Sequence, residues 1–256
     1  MELSKRECLK AIGEWRDLTF IYERIQKEFN PNGNFILNED VCKWISRNNH
    51  FHHFHVYFGK HNTDIILIFV PLNENGEERR ELEKYMTVKW SLLKKDFVLL
   101  EKDVVTNLKK TTFSKDLNVL KYEEETQFSV CSKPNLEERA TSKDIANWKI
   151  RSMDWFHYEI EKYRGERIFR SFIVPFSDLK LKEKINKEIR VLIGLKYSLL
   201  FGMHYPILIF VKSNLNSSIG EFFRKDEEVD SETNSNDFSS PCPPFCKDKI
   251  DFKFFE

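Results

Sequence analysis

The sequence predicts an α+β protein made from an internally duplicated helix, strand, strand, helix, strand unit that forms one pseudo-symmetric body. Three observations carry this expectation. Sliding the chain against itself by 104 positions superposes DVCKWISRNNHFHHFHVYFGKHNTDIILIFVPL (40–72) on DIANWKIRSMDWFHYEIEKYRGERIFRSFIVPF (144–176) without a gap, with six identities in 33 positions. Asp40 meets Asp144, Trp44 meets Trp148, Arg47 meets Arg151, His53 meets His157, and Val70-Pro71 meets Val174-Pro175, while conservative pairs such as Val56 with Ile160 fall where a shared core needs them. A second echo, KWSLL at 89–93 and KYSLL at 196–200, is followed both times by an apolar run. Runs rich in aromatic and β-branched residues also alternate with segments of helical spacing. Two copies at so long a period duplicate a supersecondary unit, because a solenoid needs three or more short repeats.

Residues 1–36 hold an N-terminal amphipathic helix over 3–29, with Trp15, Leu18, Tyr22, Ile25 and Phe29 on one stripe and Asn30-Pro31 and Gly33 stopping it. Repeat unit 1 spans 37–104 and repeat unit 2 spans 141–213. Asn38 and Ser142 are equivalent N-caps, each followed by an acidic residue that suits the positive end of a helix, Asp40 or Asp144. Strands follow at 51–58 and 65–72 in the first unit and at 155–162 and 168–176 in the second, joined by turns containing Gly59 or Gly165. Leu82, Tyr85, Met86 and Leu93, and in the second unit Ile185, Ile189, Leu192 and Ile193, then keep helical spacing before a closing apolar strand. Trp44 and Trp148 are expected as buried anchors of the opening helices. Arg47 and Arg151, three residues on, could hold an anion, although a helix-end arginine explains them without one.

Residues 105–140 match neither unit and are expected to be a connector with one short helix. Residues 214–256 form a tail whose stretch 215–240 has the composition of disorder, since few apolar groups stand there to offset the ordering entropy. It ends in CPPFCKDKIDFKFFE, where Phe252, Phe254 and Phe255 are expected to remain free of the body as a partner-binding motif.

The 41 basic and 41 acidic residues leave no net charge, which argues against nucleic acid or an anionic membrane surface as partner. IILIFVPL and PILIFV are too short to span a bilayer, and MELSKRECLKAIGEW lacks the apolar run of a signal peptide. Five scattered cysteines fit a reducing compartment, so the expected location is the cytoplasm. No glycine-rich phosphate loop, HExxH or Gly-x-Ser-x-Gly is present, and no cofactor is expected.

Five of the seven histidines lie in HFHHFHVYFGKH, residues 50–61. On a strand, His53 and His55 share one face, opposite Phe54 and Val56; in the second unit His157 and Glu159 share the equivalent face. That face is expected to be polar. If the two units bring these strands together, His53, His55 and His157 could ligate a metal, with Glu159 a further ligand or a general acid–base partner. A solvated strand face accounts for the same pattern.

The paired HFHV (53–56) and HYEI (157–160) resemble the two-histidine phosphoesterases, whose halves each carry His, an apolar residue, then Ser or Thr. His55 and Glu159 stand where that resemblance requires the hydroxyl, and a carboxylate there would repel phosphate. The pattern FHVYFG, IILIFVPLNENGEE and the late CPPFC resembles a group of uncharacterised bacterial proteins with a VYFG-like strand and a terminal Cys-Pro-Pro-x-Cys, which implies no activity. The expectation is therefore a non-catalytic binding or interaction protein with an unknown protein partner or small ligand. The alternative is a His-dependent hydrolase or phosphoesterase-like enzyme using His53, His55, His157 and Glu159.

Overall fold

A computed structural model describes residues 1–93, 105–113, 119–128, 141–179, 187–198, 202–214, 235–236, 240–243 and 254. After a short strand β1 (Glu2–Ser4), the N-terminal amphipathic segment forms α1 (Lys5–Leu18) and α2 (Tyr22–Glu28), broken at Thr19–Ile21. Ser4 opens α1 with a capping box, accepting from the Glu7 amide while the Glu7 carboxylate accepts from the Ser4 amide at 2.8 Å. Trp15, Leu18, Ile25 and Phe29 are buried as their spacing predicts.

Next come β2 (Gly33–Leu37), α3 (Glu39–Asn48), β3 (His53–His61), β4 (Asp64–Val70) and β5 (Lys84–Leu92). The Asn38 cap is present, its side chain accepting from the Val41 amide at 3.0 Å. The β3–β4 hairpin is also where the pattern placed it. Its turn, however, is Asn62-Thr63, bracketed by the pair His61 and Asp64, with Asn62 at a φ of 57°. Gly59 lies within β3 instead, where α1 crosses so closely that a Cβ would sit 3.1 Å from that of Ala11.

Strands β6 (Val105–Phe113) and β7 (Val119–Phe128) pair as a separate two-stranded hairpin within the expected connector, and the rest of it, residues 114–118 and 129–140, lies outside the described residues. Then follow α4 (Thr141–Tyr163), β8 (Ser171–Pro175), a 3-10 turn at Phe176–Leu179, β9 (Lys187–Ser198), β10 (Met203–Asn214), β11 (Ser235–Asn236) and β12 (Ser240–Cys242). Ten of these strands form one antiparallel sheet in the order β11-β10-β9-β2-β5-β4-β3-β8-β12, with β1 also paired to β5. The chain is therefore α+β, with four α-helices among the described residues.

A repeated helix, strand, strand, helix, strand unit is not shown. The expected strand 155–162 is the C-terminal half of α4, with Ser142 inside the helix and not its cap. Trp148, Ser152, Trp155, Phe156 and Glu159 are all buried, a stripe at i, i+4, i+7, i+8 and i+11 that only a helix turns to one side. Conversely, the expected helices around 82–93 and 185–193 are β5 and β9, or in part outside the described residues. In β9, Ile189, Val191, Ile193 and Leu195 alternate into the core, a period of two that a short apolar run hides. Pairing differs as well: β3, β4 and β5 are sequential neighbours, whereas β8 pairs with β3 and β9 with β2. Trp148 is buried, but Trp44 is only partly so, and Ile45 takes the buried position on α3.

The sheet is covered on both faces at β3 and β4. Phe54, Val56, Phe58, Ile65, Leu67 and Phe69 enter the larger core around Trp15, Phe29 and Trp148. Tyr57, Ile66, Ile68 and Val70 enter a second core with Leu3, Cys8, Ala11, Ile12, Tyr85 and Phe254. Each such large side chain contributes about 1.5–3 kcal/mol by leaving water. The face carrying His55 is therefore dry, contrary to expectation, because α1 and the C-terminal aromatic end lie over it.

Phe254 likewise overturns the expectation of a free aromatic end. It is 1% exposed and its ring lies 5.6 Å from Tyr57 and 4.8 Å from Tyr85. Phe252 and Phe255 lie outside the described residues, as does most of the stretch expected to be disordered; its described parts, β11 and β12, are sheet strands on β10 and β8. Cys242 is disulfide-bonded to a partner outside the described residues, while Cys8 and Cys42 are free and buried. No helix among the described residues is long and apolar enough to cross a membrane.

Candidate functional site

Two places gather buried polar groups. The first is on the covered face of β3. Tyr57 donates to Glu78 Oε1 at 2.5 Å, and His55 Nδ1 lies 2.7 Å from the same oxygen, placing the ring proton on Nδ1. Both ring residues are at most 1% exposed, and Glu78 arrives from the loop that follows β4. Burial first, then the charge of Glu78, raises the Tyr57 phenol well above its ordinary range. The trio lies at the second core, around Tyr57. Its chemistry is that of a polar staple, holding the loop to the sheet.

The second place is a cavity of about 350 Å³ between α4 and the start of β10. Helical spacing aligns Arg151, Asp154, Trp155, Tyr158 and Glu159 on its wall, and Leu195 with 202–204 closes it. Glu159 is only 2% exposed. Burial raises its carboxyl above the usual range, and the positive charges of Arg167 and Lys162 only partly oppose this. Arg167 Nε is 3.5 Å from Glu159 Oε2, an ion pair without a hydrogen bond, and Oε2 has no hydrogen-bond partner among the described residues. The guanidinium is engaged elsewhere: it donates to Met203 Sδ at 2.8 Å and stacks 4.1 Å from the Tyr163 ring centre.

His204 completes the wall. Burial and the charge of Arg151 lower its pKa, so the ring stays neutral at neutral pH, packed 4.9 Å from Tyr197. Its carbonyl accepts from Trp155 Nε1 at 3.2 Å, which fixes the indole as a wall. A concave site with a few convergent polar groups, one of them a desolvated carboxyl, is the kind that binds small molecules. A further cavity of about 460 Å³, lined by Leu92, Ile145, Trp148 and Leu192, is mostly apolar.

The expected residues are split between these places. His53 and His55 do share a strand face, with ring centres 5.8 Å apart. Glu159 faces the cavity, but His157, two residues away on a helix, points about 200° around the axis and lies exposed, edge-on to Tyr22 at 5.0 Å. Because His157 is on a helix and not a strand, the paired-histidine arrangement of the phosphoesterases is not assembled. Among the described residues no group of three or more His, Cys, Asp or Glu is placed to hold a metal ion, so His53, His55 and His157 do not form one. Burial pushes the Cys8 and Cys42 thiols up to about 12 and about 11, which removes them as nucleophiles at neutral pH.

Asp154, Trp155, Tyr158 and His204 were missed because strand alternation assigned α4 the wrong period; only the helical stripe from Trp148 to Glu159 could have signalled them. His204 carries no local signal. Comparison with protein-family models, with curated proteins and with solved structures finds no match.

Proposed function

We propose that the chain is a non-catalytic binding protein that holds a small organic molecule in the cavity between α4 and β10. The observation that carries this reading is the buried Glu159 carboxyl, which lines the cavity and has one oxygen lacking a hydrogen bond among the described residues. Leaving a buried polar atom unmatched costs about 1–3 kcal/mol. A ligand donor would recover that loss. The free thiols Cys8 and Cys42 support a cytoplasmic location, and the disulfide at Cys242 speaks against it. Resemblance to the VYFG and Cys-Pro-Pro-x-Cys bacterial group adds no activity to this reading.

The test is nuclear magnetic resonance of the full chain against small amines, alcohols, carboxylates and phosphates, following the Trp155 indole signal, assigned with a Trp155→Phe variant. At least one class should move that signal saturably. No movement by any class overturns the proposal. Turnover of a simple ester or phosphoester that is lost in Glu159→Gln or His55→Gln would replace it with the hydrolase alternative.

A further inference from the structure

We infer that the ligand of this cavity is an organic cation, an alkylammonium group carrying a flat apolar arm. The inference rests on the cavity being the binding site and goes further by naming what the site selects.

Charge and geometry favour a cation over the alternatives. Glu159 lines the cavity, its Oε2 is buried without a hydrogen bond among the described residues, and its nearest positive group, Arg167, is turned to Met203 and Tyr163 and stops at 3.5 Å. A compact ammonium has three donors and can approach that carboxyl where a forked guanidinium held at its other end cannot. The walls suit the same ligand. Trp155 presents an aromatic ring, whose face attracts cations, the Tyr158 ring already holds the Lys162 ammonium at 5.2 Å, and His204 is kept neutral by burial and by Arg151. Asp154 adds a second carboxylate at the exposed end. Arg151 opposes a cation, but it is exposed, so solvent and salt screen it, whereas Glu159 is nearly dry.

The size agrees with a short ligand. A cavity of about 350 Å³ is at the lower end of small-molecule sites, enough for an aryl ring and a two-carbon amine.

Calorimetry of the full chain with three near-isosteric probes tests this: phenethylammonium, 2-phenylethanol and 3-phenylpropionate. The cation should bind at least tenfold more tightly than the alcohol, and the propionate should bind weakest. Glu159→Gln should remove the preference for the cation while leaving the alcohol's affinity within about twofold. Should that variant not fold, Asp154→Asn, at an exposed position, should lower the cation's affinity two- to fivefold, and wild-type affinity should fall as pH drops through the raised Glu159 value. The groups facing that carboxyl are Arg167 and Lys162, with Asp154, Arg151, Tyr158 and His204 around the cavity; burial and Arg151 lower His204, and the hydrogen bond from Lys162 lowers Tyr158. Propionate or alcohol binding as tightly as the cation overturns the inference and leaves the cavity as a binding site. Binding of none of the three overturns both.

Discussion

Glu78 and Glu159 are both almost completely buried, and their surroundings are opposite. Glu78 receives two donors on one oxygen, Tyr57 at 2.5 Å and His55 at 2.7 Å, and lies under a packed aromatic cover. Its other oxygen has no hydrogen bond among the described residues. Glu159 has a distant, misaligned cation and open volume in front of it. The difference teaches that burial of a carboxyl does not mark a site by itself. A carboxyl whose partners arrive from the protein tightens the fold; one whose partner is missing beside a cavity waits for a ligand.

Removing the cover of the first region should give the largest effect. Phe254→Ala empties the space between Tyr57 and Tyr85 and should cost about 3–5 kcal/mol, read as a lower denaturant midpoint. An unchanged midpoint would mean that the C-terminal aromatic end does not belong to the core, and the comparison would lose its dry member. Glu78→Ala should come next, at about 2–3 kcal/mol, since it removes the carboxylate oxygen that both Tyr57 and His55 hydrogen-bond. Tyr57→Phe removes one donor and leaves the packing, so about 1.5 kcal/mol is expected from the same measurement.

The smallest effect, with the opposite sign, belongs to the second region. Because burial raises the Glu159 carboxyl in the folded state, the folded protein holds that proton longer than the unfolded chain does. The stability linked to it is fully present below the ordinary carboxylate range and is lost as pH rises through the raised value. Glu159→Gln should therefore be slightly more stable than wild type at neutral pH, and the gain should disappear under acid conditions. Thermal melts at pH 4 and pH 7 measure it. A variant less stable at pH 7 would show that Arg167 satisfies the carboxylate after all, making Glu159 a second Glu78.

Elements set by neighbours in sequence were legible. Asn38 announces a helix start, and FHVYFG with IILIFV announces a hairpin, because a cap and two apolar strands close in sequence need only local chemistry, although the pattern put the turn at Gly59 and not at Asn62-Thr63. The buried face of Phe54 and Val56 followed from alternation alone. Glu159 was reached for a reason the structure does not support, a strand face, and yet it is the residue that faces the cavity.

What the sequence by itself determined is thus the mixed α+β class, the helical character of the N-terminal segment though not its break into α1 and α2, the β3–β4 hairpin and the apolar stripe of each. The tertiary structure decided the period of DWFHYEIEKY, which carries both an alternating and a helical pattern and becomes helical where Trp148, Trp155 and Phe156 pack together against the sheet. It also decided that β8 joins β3, that β9 joins β2, and that His55 is dry. The two strand pairings join residues more than a hundred positions apart, and the cover over His55 comes from α1 and Phe254. No local pattern encodes them, because the free energy that selects them comes from burying two distant surfaces against each other.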